Sequence, residues 1–172
     1  ELCWVTVVGD DLQQLIDVLT RAWDRSDYIF TIGGLGPTED DLTRNAISAL
    51  LEESLVPDPY LTEWLEERFR SRGMPMPINN LRQATTIASA SPVMNTLGTA
   101  PGWWVERDGR TIITMPGPPN EFTEMWNAQC SPRLQELEIG SVILTRTYKT
   151  IGLSEAAVDE MVKDLYQLDN ID

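Results

Sequence analysis

Histidine is absent from all 172 residues, and that absence removes whole classes of chemistry. Neither a Ser-His-Asp nor a Cys-His nucleophile system can be built, and no histidine zinc site is possible. Acid–base work must fall to carboxylates, Tyr, Lys or metal-bound water. Basic side chains are scarce as well: 13 Lys and Arg stand against 27 Asp and Glu, a formal net charge of −14 and a pI near 4.3. Such a surface argues against nucleic acid or an anionic membrane held on a broad basic face. A small anion neutralised locally by a metal or a few arginines is still allowed. No apolar run approaches the roughly 20 residues a membrane helix needs, and no signal peptide is visible. The two cysteines, Cys3 and Cys130, lie far apart and read as reduced, structural thiols, so the expected compartment is the cytoplasm.

What is present concentrates in one stretch. The apolar run Tyr28–Ile32 ends in Gly33, Gly34 and Gly36, followed by Pro37-Thr38-Glu39-Asp40-Asp41-Leu42-Thr43 at the head of a helical pattern. Strand, glycine turn and helix start together form a common phosphate-holding geometry, with backbone N–H groups and the helix dipole aimed at one spot. Three consecutive carboxylates would repel a bare phosphate. A divalent cation between carboxylate and phosphate resolves that conflict. The same residues also have a plainer reading: Thr38-x-x-Asp41 resembles a capping box, and acidic residues suit a first helical turn without any ligand.

Length and a 42% hydrophobic content suit one globular domain. Leu2–Val8 reads as a strand, and Leu12, Leu15, Ile16, Leu19 and Trp23 recur at helical spacing after a cap at Asp10 or Asp11. Tyr28–Ile32 reads as a strand buried on both faces, and 41–51 as a helix. Pro59 opens a further helix with Leu61, Leu65 and Phe69 inside, while Arg68, Arg70 and Arg72 read as its solvated end. Residues 53–97 look like an insertion flanking the main sheet, with a short helix over 79–84. Asp108-Gly109 between two β-patterned runs predicts a hairpin with a two-residue turn, its Trp103 and Trp104 on opposite faces so that at most one joins the core on a given side. Pro116-Gly117-Pro118-Pro119 opens another helix. A strand over 142–151 and a helix capped by Ser154 close the pattern. Strands alternating with helices predict an α/β fold with a mostly parallel sheet and one antiparallel hairpin.

Three segments in order resemble the N-terminal domain of CinA-type proteins, in the molybdopterin-binding superfamily with the MoaB/MogA-like proteins. They are Gly33–Thr43, Gly98-Thr99-Ala100-Pro101-Gly102 and Met115-Pro116-Gly117-Pro118-Pro119-Asn120-Glu121. Met76–Asn80 and Thr147–Gly152 extend the likeness over nearly the whole chain, without the family's C-terminal amidohydrolase domain. The resemblance implies a three-layer α/β/α Rossmann-like domain that binds a nucleotide- or pterin-phosphate ligand. It also implies metal-dependent hydrolysis of the ADP-ribose pyrophosphate bond, with Mg²⁺, Mn²⁺ or Co²⁺ as cofactor, and a homo-oligomer.

By motif, Asp10 and Asp41 take the catalytic aspartate positions, with Asp10, Asp40 and Asp41 holding the cation. Gly33, Gly34, Gly36 and Thr38 would hold phosphate. Gly98, Thr99, Ala100 and Pro101 would form one wall of the site and Pro116, Gly117 and Pro118 the other, with Glu121 a weaker candidate. Open α/β sheets bind ligands at the C-terminal ends of their strands, which suits these positions. The resemblance further implies that the family's usual first strand and helix precede the point where this chain begins, which would expose strand edges. A binding module without turnover, or an inactive scaffold, are the competing readings.

Overall fold

Asp108 and Gly109 both adopt positive φ, 52° and 75°, and close the hairpin that their pairing predicts. In the computed structural model, which describes residues 2–137 and 146–167, the main elements run in order as helix α1 (Leu12–Arg25), strand β1 (Tyr28–Ile32), helix α2 (Thr43–Leu51), strand β2 (Val56–Pro57), helix α3 (Pro59–Ser71), strands β3 (Thr85–Thr86), β4 (Ala90–Val93), β5 (Gly102–Arg107) and β6 (Arg110–Met115), and helices α4 (Pro119–Met125), α5 (Ser131–Leu137) and α6 (Glu155–Val162). A 3-10 helix spans Ile78–Ala84 and a π-helical turn spans Trp126–Cys130.

The main sheet has the order β1-β6-β5-β4. β1 pairs with β6 in parallel, and β6–β5 and β5–β4 are antiparallel. The α/β class holds, with a mixed sheet. Its parallel part among the described residues is the β1–β6 pair. Side chains alternate between two cores. Trp103, Val105, Ile112 and Ile29 face α1 and α2, packing with Leu19, Ala46, Ile47 and Leu51. Trp104, Ile113 and Met115 face α4 and the π turn, packing with Met125 and Cys130. Helices therefore cover both faces, and both tryptophans are buried, one per core. This is the one-per-side placement that their opposite-facing positions predict; with a helical layer on each face, neither side of the pleat is left to solvent.

Two sequence expectations fail at the β1 side. Leu2–Val8 alternates like a strand but forms none; Leu2, Trp4, Val5 and Val7 are exposed. A strand is made by ladder partners, and no described strand lies beside this segment. β1 is correspondingly an edge strand rather than one buried on both faces, with Phe30 and Ile32 exposed.

The 53–97 flank has a small core of its own, Leu61, Leu65 and Ala84 with Phe69, Met76 and Met94 against them. Its last part, β4, joins the main sheet. Asp58 accepts a hydrogen bond from Leu61 N–H (3.0 Å) ahead of Pro59 at the start of α3. The segment from residue 139 onward separates as a second unit. There Ser154 caps α6, as its sequence predicts. The strand expected over 142–151 falls partly outside the described residues, and its described part, 146–151, is not a strand. No described helix is long and apolar enough to cross a membrane.

Candidate functional site

The sheet register gathers three loops at one end. β1 and β6 run in parallel and end at Ile32 and Met115; β5 begins at Gly102, paired with Val93 at the end of β4. The loops 33–42, 94–101 and 116–118 all leave from that edge. Gly33 N–H donates to Met115 O (2.9 Å), which fastens the first loop to the last. Gly33 and Gly34 have φ of 93° and 66°, a turn that side-chain-bearing residues resist. Thr43, the first residue of α2, closes the turn, donating its N–H to Gly34 O (3.2 Å) and its hydroxyl to Gly33 O (2.9 Å).

Within the loop, Asp41 Oδ2 accepts the Thr38 N–H (2.9 Å) and the Thr38 hydroxyl (2.5 Å). Asp40 Oδ1 lies against the same hydroxyl. One hydroxyl proton serves one acceptor at a time, so two carboxylates converge on a single oxygen. Burial alone would raise the Asp41 pKa; hydrogen bonds from Thr38 and Gly36, and the nearby Arg44 charge, outweigh it and hold the carboxyl below 3.8. The helix itself starts only at Thr43 with no side-chain cap, so Thr38 and Asp41 staple a turn rather than cap α2.

Arg44 is the residue the sequence reading missed. Its side chain is almost wholly buried, yet its guanidinium donates to Leu35 O (2.7 Å) and Pro101 O (2.6 Å). One side chain thus joins the glycine-rich loop to the Gly98–Pro101 loop. Burial pulls its pKa down to about 10, against the opposing pull of Asp41. Its Nε has no hydrogen-bond partner.

The middle loop is held by Asn95, fully buried. Asn95 Oδ1 accepts from Leu97 N–H (3.1 Å) and Gly98 N–H (2.7 Å); its Nδ2 donates to Ala100 O (3.1 Å) and Glu121 Oε2 (2.7 Å). Glu121 therefore braces a loop, and a Cβ on Gly98 would collide with its carboxylate. From the flank, Arg68 donates to Thr96 O (2.9 Å) and Arg72 to Leu97 O (3.3 Å). These two are not a purely solvated helix end: loop carbonyls without local partners recruit them. Arg70 pairs instead with Glu67 (2.5 Å).

A cavity of about 290 Å³ opens beside this end, lined by Gly36, Glu39, Asp41, Arg44, Asn45, Leu55, Arg82 and Thr85. Of the expected site residues, Gly36, Asp41 and neighbouring Glu39 reach it directly. Asp10 does not join Asp40 and Asp41: it is exposed in the bend before α1, and among the described residues no group of three or more His, Cys, Asp or Glu could hold a metal. Asp10 was placed by motif at a strand end, and Leu2–Val8 forms no strand to position it. Gly33 spends its N–H on Met115 O, and Gly36 N–H helps hold Asp41, so neither offers a free donor to phosphate.

Residues 1–136 match the family described as a probable molybdopterin binding domain. A CinA-like protein of Thermomicrobium roseum is 51% identical over 164 residues, 95% of this chain and 40% of that relative. The chain belongs to the family of probable molybdopterin binding domains. A CinA-like protein of Deinococcus radiodurans is 42% identical over 164 residues, 93% of this chain and 40% of its own length. The chain thus spans about 40% of the length of these CinA-like relatives. The CinA structure from Thermoplasma acidophilum aligns with a TM-score of 0.65 at 28% identity, covering 72% of each chain. The similarity to CinA-like proteins and the α/β architecture therefore agree.

Proposed function

We propose that this end of the sheet binds a nucleotide- or pterin-phosphate ligand and that the chain is a divalent-metal-dependent pyrophosphohydrolase acting on ADP-ribose. One observation carries the reading: Asp40 and Asp41 converge on the Thr38 hydroxyl at the lip of a cavity whose other walls carry Arg44 and Arg82. Carboxylates facing guanidiniums across a small cavity suit a diphosphate together with a cation. Two carboxylates and a hydroxyl are hard oxygen donors of the kind Mg²⁺ or Mn²⁺ takes, and ligand phosphate and water would complete the shell. Asp40 and Asp41 are the residues that would hold such a cation, which supplies charge neutralisation of the diphosphate when bound.

The chain's own groups do the rest. Asp41 is anionic at neutral pH and accepts a proton-bearing group within reach, so it orients water toward phosphorus. Attack by that water on one phosphorus breaks its bond to the bridging oxygen, which leaves with the other phosphate, and yields AMP and ribose 5-phosphate, two protons being released as the monoester dianions form. Arg44 fixes the two loops whose separation sets the width of the site. Homo-oligomerisation and a cytoplasmic setting belong to the same proposal.

A binding module without turnover is the second reading, and Asp41 gives it support, since Thr38 and Gly36 already occupy that carboxylate. Thermal unfolding with ADP-ribose, with and without Mn²⁺, separates the readings. Ligand stabilises the folded state as ln(1 + [L]/Kd). A shift that needs Mn²⁺ supports the hydrolase; an equal shift without it supports the binding module. No shift under either condition rejects both.

A further inference from the structure

The cavity has a feature that hydrolysis at Asp41 does not use. Arg82, on the 3-10 helix of the flank, reaches across to Glu39 of the acidic loop at 2.6 Å. The Glu39 side chain is 97% exposed and that of Arg82 34% exposed. An ion pair so open to water holds its partners only weakly. Arg82 and Glu39 both line the cavity, as do Arg44, Asn45 and Thr85. At its buried side Arg44 is 4% exposed and its Nε is a donor without an acceptor.

Charge explains why the pair matters. With Glu39 in place, Arg44 and Arg82 are balanced by Asp41 and Glu39, and the cavity has no net attraction for an anion. Asp41 is fixed by Thr38 and cannot leave. Glu39, almost entirely in solvent, makes no other hydrogen bond among the described contacts and can swing outward. Its departure leaves Arg44 and Arg82 against Asp41 among the lining side chains, with Arg82 unmasked.

We infer that Glu39 and Arg82 form an exchangeable latch over an organic-phosphate subsite, in which a ligand phosphate displaces Glu39 and takes the Arg82 guanidinium. The inference rests on the proposal that this end of the sheet binds phosphate ligands, and deepens it by giving the flank a direct role in recognition. Arginine suits that role because its planar fork meets a phosphate in bidentate fashion. Asn45 and Thr85 supply neutral hydrogen-bonding groups beside it. The latch confers preference for phosphorylated over unphosphorylated ligands, since only an anion competes with Glu39.

Calorimetric titration of the full chain with AMP and with adenosine, in Arg82→Gln, Arg82→Lys and Glu39→Gln, decides the matter. Exchange demands opposite signs. Arg82→Gln is expected to weaken AMP binding about tenfold, Arg82→Lys to recover part of it, and Glu39→Gln to tighten AMP binding about threefold. Adenosine affinity is expected to be the same in all forms. If the pair were only a strut between flank and loop, both substitutions would weaken AMP binding in the same direction, and that result overturns the latch. Wild-type binding of AMP with unchanged affinity in every variant overturns the latch and spares the proposed site. No AMP or ADP-ribose binding by the wild type, with or without Mn²⁺, overturns both.

Discussion

Asp41 occupies the space that a side chain on Gly36 would need: a Cβ built there falls 2.9 Å from Asp41 Cγ and closer still to Oδ2. The pairing ties the third glycine of the loop to the position of the acidic group rather than to phosphate N–H donation. Gly36→Ala is expected to push the Asp41 carboxylate off Thr38. Product formation from ADP-ribose should fall at least tenfold, with a stability loss of about 1–3 kcal/mol from overpacking. Steady-state kinetics and urea denaturation on the same sample check it; normal turnover with the alanine in place would refute it.

The pH dependence of stability follows from the same carboxylate. Its folded pKa lies below 3.8, so the unfolded chain holds the proton more tightly. The stabilisation is therefore complete above the unfolded value and disappears as pH falls through the folded one. Asp41→Asn removes it. Urea midpoints measured from about pH 6 down to about pH 3 should change less steeply in this variant than in the wild type. Parallel curves would show that Asp41 carries no such linkage.

Arg44 sets up a prediction about loop closure. Arg44→Met leaves the Leu35 and Pro101 carbonyls without their donor and is expected to cost about 3–5 kcal/mol. Arg44→Lys keeps the charge, but a single ammonium cannot span both carbonyls in the guanidinium's geometry, and about 1–3 kcal/mol should be lost. Chemical denaturation measures both. A lysine variant as stable as wild type would mean the bridge is not what arginine supplies.

Asn95 provides the counterpart in the middle loop. Its amide both donates and accepts, and a carboxylate cannot donate to Ala100 O and Glu121. Asn95→Asp places like charge beside Glu121 and should destabilise by about 2–4 kcal/mol at neutral pH, less near pH 4 as carboxyls protonate. Thermal unfolding at the two pH values reads this. A larger loss at the lower pH would contradict it.

Local chemistry was legible in the sequence where the signal is local. Asp108-Gly109 specifies its turn because both residues tolerate positive φ, and Asp11, Pro59 and Ser154 mark helix starts through groups a few atoms away. The family motifs also fell where expected, at one end of the sheet. Leu2–Val8 shows the limit: alternation records a preference that only a neighbouring strand can realise. Arg44, Asn95, Arg68 and Arg72 act on carbonyls distant in sequence or around a tight loop, which no periodicity encodes. Arg44 did leave a trace, since it shares the i, i+3, i+7 stripe of α2 with buried Ile47 and Leu51. A charge on a buried stripe asks for a partner. Asn95 with Gly98 three residues on was a comparable turn signal.

On the proposed function, Asp41 acts on a diphosphate rather than serving only as a loop staple. Release of AMP from ADP-ribose with Mn²⁺, compared between wild type and Asp41→Asn, tests it most directly, because asparagine keeps the shape and an oxygen for the Thr38 N–H. The proposed hydrolysis requires AMP release by the wild type, lost by orders of magnitude in a variant that remains folded. Equal release by the two proteins, or none by the wild type, would contradict it.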